Sequence, residues 1–258
     1  MVKGLYTAYT GMINEQNRMD VLTNNLANAD TSGYKKEGAT SQSFDTVLAY
    51  KIKDVTENGR LARGIGTANL GVKVGENYVD YSQGPFKVTG NTYDIGLSGE
   101  GFFAIQFTNK AGVTDTKYTR DGSFTVTKQG YLVTKDGDYV LGTNNGRIQV
   151  DPTKDVKVDT MGNVMQDGSR VATIMVTDFE DYNYLEHYGE NYFQPVDGAR
   201  EKNADVTFNQ GYLEASNVQV VSEMVEMISV SRQYETNQKL ITTFDSTLQI
   251  AANQLGKV

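Results

Sequence analysis

Apolar residues recur every seventh position at both ends of this chain and every second position through much of its middle. Toward the C-terminus one row runs Val220, Met227, Tyr234, Ile241, Leu248 and Leu255. An offset row adds Val230, Phe244 and Ala251, with Asn237 as its polar break. No proline interrupts the run, and glycine stands only at its edges, Gly211 and Gly256. Apolar positions a and d of repeated heptads make a narrow stripe, the seam of a coiled coil. Toward the N-terminus Leu5, Met12, Met19 and Leu26 repeat the period, and Ala8 and Leu22 supply most of the offset row. Glu15 stands there where an apolar residue is expected. The pattern predicts one helix from residue 3 to about 29, stopped by Ser32-Gly33, and a second from 211 to 258. Helices draw most of their stability from packing. These two are therefore expected to pair with each other, with neighbouring subunits, or with both. Taken alone, the C-terminal stripe is equally that of a long helix packed on its own domain.

Between the helices the pattern loosens from 37 to 70, which reads as an extended arm. Ser43 to Tyr50 reads as a short helix or strand, and Asn58-Gly59 and Arg63-Gly64-Ile65-Gly66 are turn chemistry. From 71 to 210 short alternating runs dominate, among them Val72-Lys73-Val74, Phe103-Ala104-Ile105-Gln106-Phe107 and Ala172-Thr173-Ile174-Met175-Val176. Asp136-Gly137-Asp138, Asn144-Asn145-Gly146 and Gln166-Asp167-Gly168 separate such runs, and Asp-Gly and Asn-Gly are hairpin signals. The fold class expected is α+β, with N- and C-terminal helices forming a coiled-coil layer around an inserted irregular all-β domain. The expected segments are 1–36, 37–70, 71–210 and 211–258.

Composition narrows the chemistry. The formal charge is −8 over 258 residues and no Lys/Arg cluster exceeds Lys35-Lys36, which argues against nucleic acid. There is no cysteine and one histidine, His187, too few for a thiol site, a triad or a two-histidine zinc site. No apolar run approaches the length of a membrane span, and the N-terminus lacks the apolar core of a conventional signal peptide. The chain is therefore expected to stay inside the cell or to leave by another route. Asp178, Glu180 and Asp181 form one carboxylate cluster, and Asp94 and Glu100 flank another strand. Nothing fixes the separations that glycoside hydrolysis needs, so they read as solvated acidic loops. Asp121-Gly122 and Asp136-Gly137-Asp138 read as hairpin turns, since no acidic residue completes a calcium loop. His187 sits among Tyr182, Tyr184, Tyr188 and Tyr192 and reads as surface or interface. Sixteen tyrosines and no tryptophan suit contact surfaces. No catalytic, cofactor-binding or metal-binding residue is expected.

Two motifs near the ends carry a family resemblance. Asn24, Asn25, Leu26, Ala27, Asn28, then Thr31, then Gly33, Tyr34 and Lys35, resemble the N-terminal signature of bacterial flagellar rod and hook axial proteins. Gly211-Tyr212-Leu213-Glu214-Ala215-Ser216-Asn217-Val218 is similar to the family's second signature, and Met224-Val225-Glu226-Met227-Ile228 and Arg232-Gln233-Tyr234-Glu235 follow it. Gly99-Glu100-Gly101-Phe102-Phe103 and Tyr118-Thr119-Arg120-Asp121-Gly122-Ser123-Phe124 also resemble rod proteins, so the likeness covers most of the chain. Within the family the pattern is nearest to the distal-rod subunits, least so in the arm.

The resemblance implies a structural subunit of the extracytoplasmic basal body, without cofactor or membrane insertion. Its partners would be copies of itself, other flagellar rod and hook proteins, and the flagellar type III export apparatus. The terminal helices would form an inner coiled-coil layer around a channel. The assembly seam would be Leu5, Met12, Met19, Leu22 and Leu26 against Val220, Met227, Val230, Tyr234, Ile241, Phe244, Leu248 and Leu255. A proximal-rod or hook-like subunit is the alternative within the family. An exported wall-cleaving or adhesive protein with axial-type ends is the alternative outside it.

Overall fold

The computed structural model describes residues 2–44, 47–51, 63–109, 112–189 and 191–255. The expected turn at Asn58-Gly59, Asp45 and the middle of the arm, and Gly256 lie outside the described residues, as does the side chain of Leu255. The chain forms two compact units: Met1–Ala27, Glu37–Asp80 and Gln219–Val258 make the first, and Asn28–Lys36 with Tyr81–Val218 the second.

In the first unit, α1 spans Val2–Ala27 and α2 spans Val220–Ile250. Helix α1 ends among Asn24, Asn25 and Asn28, whose side chains compete for backbone hydrogen bonds. Gly33 lies well past that end, so it is not the helix stop that the sequence suggests. Helix α2 has no side-chain cap at Gln219 and passes into a π-helical turn, Ala251–Leu255. The two helices pack on each other, and α1 also lies against an antiparallel pair of strands, Glu37–Ser43 and Val72–Val79. Asn14 Nδ2 donates to Ser41 Oγ at 2.9 Å across that contact. Strand Val47–Lys51 pairs antiparallel with Arg63–Ala68. Where it is described, then, the segment expected as an arm is paired strand.

The second unit is β-structure. Its nine-stranded sheet runs Leu185–Tyr188, Tyr192–Pro195, Thr114–Thr119, Phe102–Thr108, Tyr139–Val140, Leu132–Val133, Thr125–Val126. Val176–Phe179 joins it by pairing with both Phe102–Thr108 and Glu201–Asn203. Val156–Val158, Asn163–Gln166 and Ser169–Thr173 form a three-stranded sheet. Ile95–Gly99 pairs with Val206–Gln210. The core gathers Ile95, Leu97, Phe103, Phe124, Val140, Ile148, Val164, Ile174 and Phe208. Phe103 meets Phe124 edge-on at 5.0 Å.

Residues 211–218, expected to open the C-terminal helix, belong to this unit. Tyr212–Glu214 is a strand paired with Phe86–Val88, and Leu213 and Val218 are buried. Gly211 turns the chain into that strand at φ +80°. Asp167 and Gly168, at φ 50° and 78°, supply the left-handed pair of the hairpin between Asn163–Gln166 and Ser169–Thr173. Asp121-Gly122 is not a hairpin. Gly122 O accepts from Ile95 N at 3.0 Å, and a Cβ on Gly122 would lie 1.7 Å from Ile95 O. The Asp121 carboxylate accepts from Ser123 N at 2.9 Å and Ser123 Oγ at 2.8 Å. Burial raises its pKa, partly offset by those two bonds.

Gly122→Ala is therefore expected to force its loop away from the strand Ile95–Gly99 at the core edge, costing about 3 kcal/mol as overpacking. Calorimetry should show the melting temperature of the β-rich unit falling by roughly 5–10 °C. A shift below one degree would contradict the close approach.

Candidate assembly surfaces

Helices α1 and α2 meet in an antiparallel register with a heptad step. A Cβ placed on Gly4 would stand 3.0 Å from Phe244 Cζ, and one on Gly11 3.1 Å from Asn237 Nδ2. Asn25 Nδ2 donates to Glu223 Oε2 at 3.2 Å. Each step of seven along α1 thus answers a step of seven back along α2. By the same spacing Arg18 falls opposite Val230, which is 1% exposed, and Arg18 Nη2 reaches Glu226 Oε1 at 2.9 Å. Glu15, the residue out of pattern, pairs with Arg18 at 3.3 Å. The shielded residues of α2 are Glu223, Met227, Val230, Ser231, Tyr234, Asn237, Ile241 and Phe244.

This accounts for every expected seam residue but Leu255, whose side chain lies outside the described residues. Met227, Val230, Tyr234, Ile241 and Phe244 lie on the shielded face of α2, and Leu22 is buried on α1. Leu5, Met12, Met19 and Leu26 are half-buried. Sequence periodicity missed the row Gly4, Gly11 and Asn25, which faces α2 directly. Two glycines and an amide carry no apolar signal, although their spacing of seven was visible. Val220 and Leu248 are exposed, at 42% and 38%. Phe244 faces Gly4, and the described part of α1 starts at Val2, so Leu248 lies one turn beyond its reach. Val220 lies correspondingly past the other end of α1.

The signature residues divide between the two units. In the first, Asn25 is fully buried and holds Glu37 from both sides, accepting from its N at 2.9 Å and donating to its O at 2.7 Å. In the second, Thr31 N donates to Asn28 O at 3.2 Å, and Gly33 at φ +72° donates its N–H to Glu214 O at 2.8 Å. A Cβ on Gly33 would lie 2.4 Å from Asp121 N. Tyr34 is 1% exposed. Lys35 Nζ donates to Glu214 Oε1 at 2.6 Å and to Ser82 O at 2.8 Å. Gly84 N donates to the same Glu214 oxygen at 3.0 Å. Arg120 Nε lies 3.6 Å from Glu214 Oε2, and Arg120 Nη2 donates to Gly99 O. The guanidinium sits 5.7 Å from the Phe102 ring centre. Lys36 N donates to Asn217 Oδ1 at 2.7 Å. Two stretches that carry the resemblance, 33–35 and 118–124, therefore meet Glu214 on a third, and Arg120 ties in the fourth through Gly99 and Phe102. Sequence reasoning quoted the stretches and did not single out Glu214 or Arg120.

The acidic cluster needs correction. Asp178 is not a solvated loop carboxylate. It is 1% exposed, accepts from Tyr182 Oη at 2.7 Å and Phe179 N at 2.8 Å, and pairs with Lys202 at 3.3 Å. Thr177, Asp178 and Phe179 are buried in succession at the end of the strand Val176–Phe179, so both faces of the strand are covered there. Burial, then the bond to Asp178, pushes the Tyr182 phenol well above its usual range. Glu180 and Asp181 are exposed. His187 stands edge-on to Phe193 at 5.4 Å.

Comparison with known proteins agrees across the chain. Family models described as flagella basal body rod protein, flagellar hook protein FlgE/F/G D1 domain, and flagellar basal body rod FlgEFG protein C-terminal match residues 5–35, 96–166 and 209–255. The chain is similar to the flagellar basal-body rod protein FlgF of Caulobacter vibrioides, 32% identical over 100% of both chains. It is 32% identical to FlgG of Bacillus subtilis, over 98% of this chain and 99% of that one. The flagellar hook-basal body complex protein FlhO of Bacillus subtilis matches at 32% over 100% of both.

The chain has no cysteine, so the helix register can be tested by cross-linking. The pair Gly11→Cys and Asn237→Cys should close an intramolecular disulfide under mild oxidation, since a Cβ at position 11 would stand 3.1 Å from the side chain at 237. Gly11→Cys with the exposed Leu240→Cys should not. Equal yields from the two pairs would refute the register. Separately, Lys35→Met should destabilise the β-rich unit by about 3 kcal/mol, because it removes one partner of a buried ion pair. Urea unfolding followed by tyrosine fluorescence measures this, and an unchanged midpoint would contradict it.

Proposed function

The chain belongs to the flagellar basal-body rod and hook protein family, and on that premise we propose that it joins its neighbours through a second apolar face on α2. It is a structural rod subunit of the basal body, similar along its whole length to proteins that carry that name. None of its described helices is long and apolar enough to cross a membrane.

The observation that carries the proposal is the exposure of Val221, Met224, Val225 and Ile228. They stand at i, i+3, i+4 and i+7, the spacing of a helix-binding stripe. Val221 is 77% exposed. They do not share positions with the residues that α1 shields. Below them Val225, Ile228, Ser229, Arg232, Gln233 and Thr236 line a shallow groove of about 370 Å³. Tyr6, Tyr9 and Ile13 form a matching exposed row on α1. The occupant we assign to the α2 stripe is a helix of a second copy, offered by that row. The hairpins would then stand side by side as a coiled-coil layer. A stripe on one helix meeting a different row on the next copy is a heterologous contact, which gives an open helical assembly where its rotation does not close a ring. On this reading the half-shielded seam residues hold each hairpin together, and the exposed stripe joins hairpins.

Export through the flagellar type III apparatus and a distal position along the rod belong to the same reading, on family likeness alone. Identity to the relatives named FlgF and FlgG is equal at 32%. Order of addition to a growing rod would separate the positions.

Two substitutions on adjacent faces test the proposal. Ile228→Asp should leave the monomer's helical circular dichroism and melting unchanged, because the site is exposed, yet abolish long particles in electron microscopy. Val230→Asp should instead unfold the hairpin, since an unpaired buried charge costs about 3–5 kcal/mol. Normal assembly of the Ile228→Asp chain would sink the second-face reading.

A further inference from the structure

Inside the β-rich unit a pocket opens beside Glu214 that the assembly of helices does not use. Its volume is about 360 Å³, and Tyr81, Gln83, Gly99, Phe102, Arg120 and Tyr182 are among the residues that line it. Three of these are aromatic and hold one another. Tyr81 and Tyr182 have ring centres 4.8 Å apart, and Phe102 stands edge-on to Tyr182 at 5.9 Å. Gly99 and Gly101 shape the rim at φ +115° and +144°, and a Cβ on Gly101 would lie 2.9 Å from Ala204 Cβ. The rim therefore has little room to rearrange. Glu100, between those glycines, is exposed and also borders the pocket.

The chemistry comes from Arg120, whose side chain is 4% exposed. Its Nη2 is used by Gly99 O and its Nε stands near Glu214, but its Nη1 has no acceptor among the described residues. A buried N–H left unpaired costs about 1–3 kcal/mol, more on a charged group. Lys35 and Arg120 both stand against the carboxylate of Glu214, and Lys35 and Glu214 are each 1% exposed. Asp178, on the far side of Tyr182, is already paired with Lys202. A guanidinium with a spare donor matches a planar carboxylate. Aromatic walls add apolar area for a short hydrocarbon stem.

We propose that this pocket takes a carboxylate on a short apolar stem, in contact with Arg120, and that a neighbouring subunit supplies it. A Glu side chain or a chain-terminal carboxylate has that form. Only the source of the carboxylate rests on the assembly reading. The pocket's preference does not.

The experiment uses the full chain as a dilute monomer, with pentanoate as probe and sulfate at equal ionic strength as comparison. The side-chain Nε–H resonance of Arg120 is followed by ¹⁵N NMR. Pentanoate should shift it saturably in the millimolar range, and sulfate should not. Glu100→Gln, an exposed change at the rim, should tighten pentanoate binding roughly threefold by removing a nearby like charge. Arg120→Gln should weaken binding roughly tenfold or more, read on the Tyr fluorescence. Absence of a saturable pentanoate shift, an equal response to sulfate, or no tightening in Glu100→Gln would overturn the site. The source is read separately, in an elongation assay. Saturating pentanoate should slow the growth of long particles several-fold, without affecting the monomer's fold. Unaltered growth, with pentanoate bound, would overturn the neighbour as the source and leave a pocket for a free carboxylate.

Discussion

One carboxylate, that of Glu214, holds together the pieces of chain that begin and end the β-rich unit. The backbone enters this unit at residue 28, leaves at 36, enters again at 81 and leaves at 218. Glu214 lies on the last of these passages, its Oε1 binds Lys35 on the first, and the same oxygen takes the N–H of Gly84 on the second. Asn217 repeats the pattern a turn later, joining Lys36 N to the carbonyl of Ser82. A buried ion pair adds little net stability over an apolar replacement. What it does specify is which segments meet, because any other arrangement would strand a charge away from water. Segments nearly two hundred residues apart are fixed in this way with few bonds.

The helical hairpin relies on the same device in a different form. Leucine and methionine stripes tolerate sliding by a heptad, since one apolar layer resembles the next. The layers that cannot slide are the unusual ones. Phe244 needs the space above Gly4, Asn237 needs that above Gly11, and Glu223 needs the amide of Asn25. A polar residue at a seam position sets register at some cost in stability. Here three layers, two adjacent and the third beyond the layer of Arg18 and Val230, are each marked by a small or polar residue and give one register.

The two terminal helices, their heptad period and the β-rich character of the middle were legible because they depend on local periodicity. The family likeness was legible because whole motifs survive in order. The register was not, because Gly4, Gly11 and Asn25 are silent on any hydrophobicity reading. Nor was the start of α2. Tyr212, Leu213 and Glu214 continue into the apolar rows without a break, and only tertiary pairing with Phe86–Val88 makes them a strand. Asp121-Gly122 shows the limit of dipeptide rules. Its glycine serves a close backbone crossing at Ile95, which no local signal distinguishes from a turn. Asp178 was misread because an acidic residue next to Glu180 and Asp181 looks solvated, whereas the strand Val176–Phe179 is covered on both faces at its end, which leaves Thr177, Asp178 and Phe179 all buried.

The separation of the two faces of α2 has an energetic consequence for assembly. Fully burying one Val, Ile or Met side chain is worth about 1.5–3 kcal/mol. The four residues of the exposed stripe begin from partial exposure, so one hairpin-to-hairpin contact would supply only a few kcal/mol. Association itself costs at least ~4 kcal/mol in lost translational and rotational freedom. A single pair of subunits is then barely held, while a subunit that meets several neighbours at once gains several contacts for one such loss. On the proposed reading, weak stripes on a hairpin already closed by its own seam would therefore favour growth at an existing end over pairing in solution. The seam must be strong and internal for this to work. If the same stripe both closed the hairpin and joined the neighbours, free chains would satisfy it among themselves before reaching a growing end.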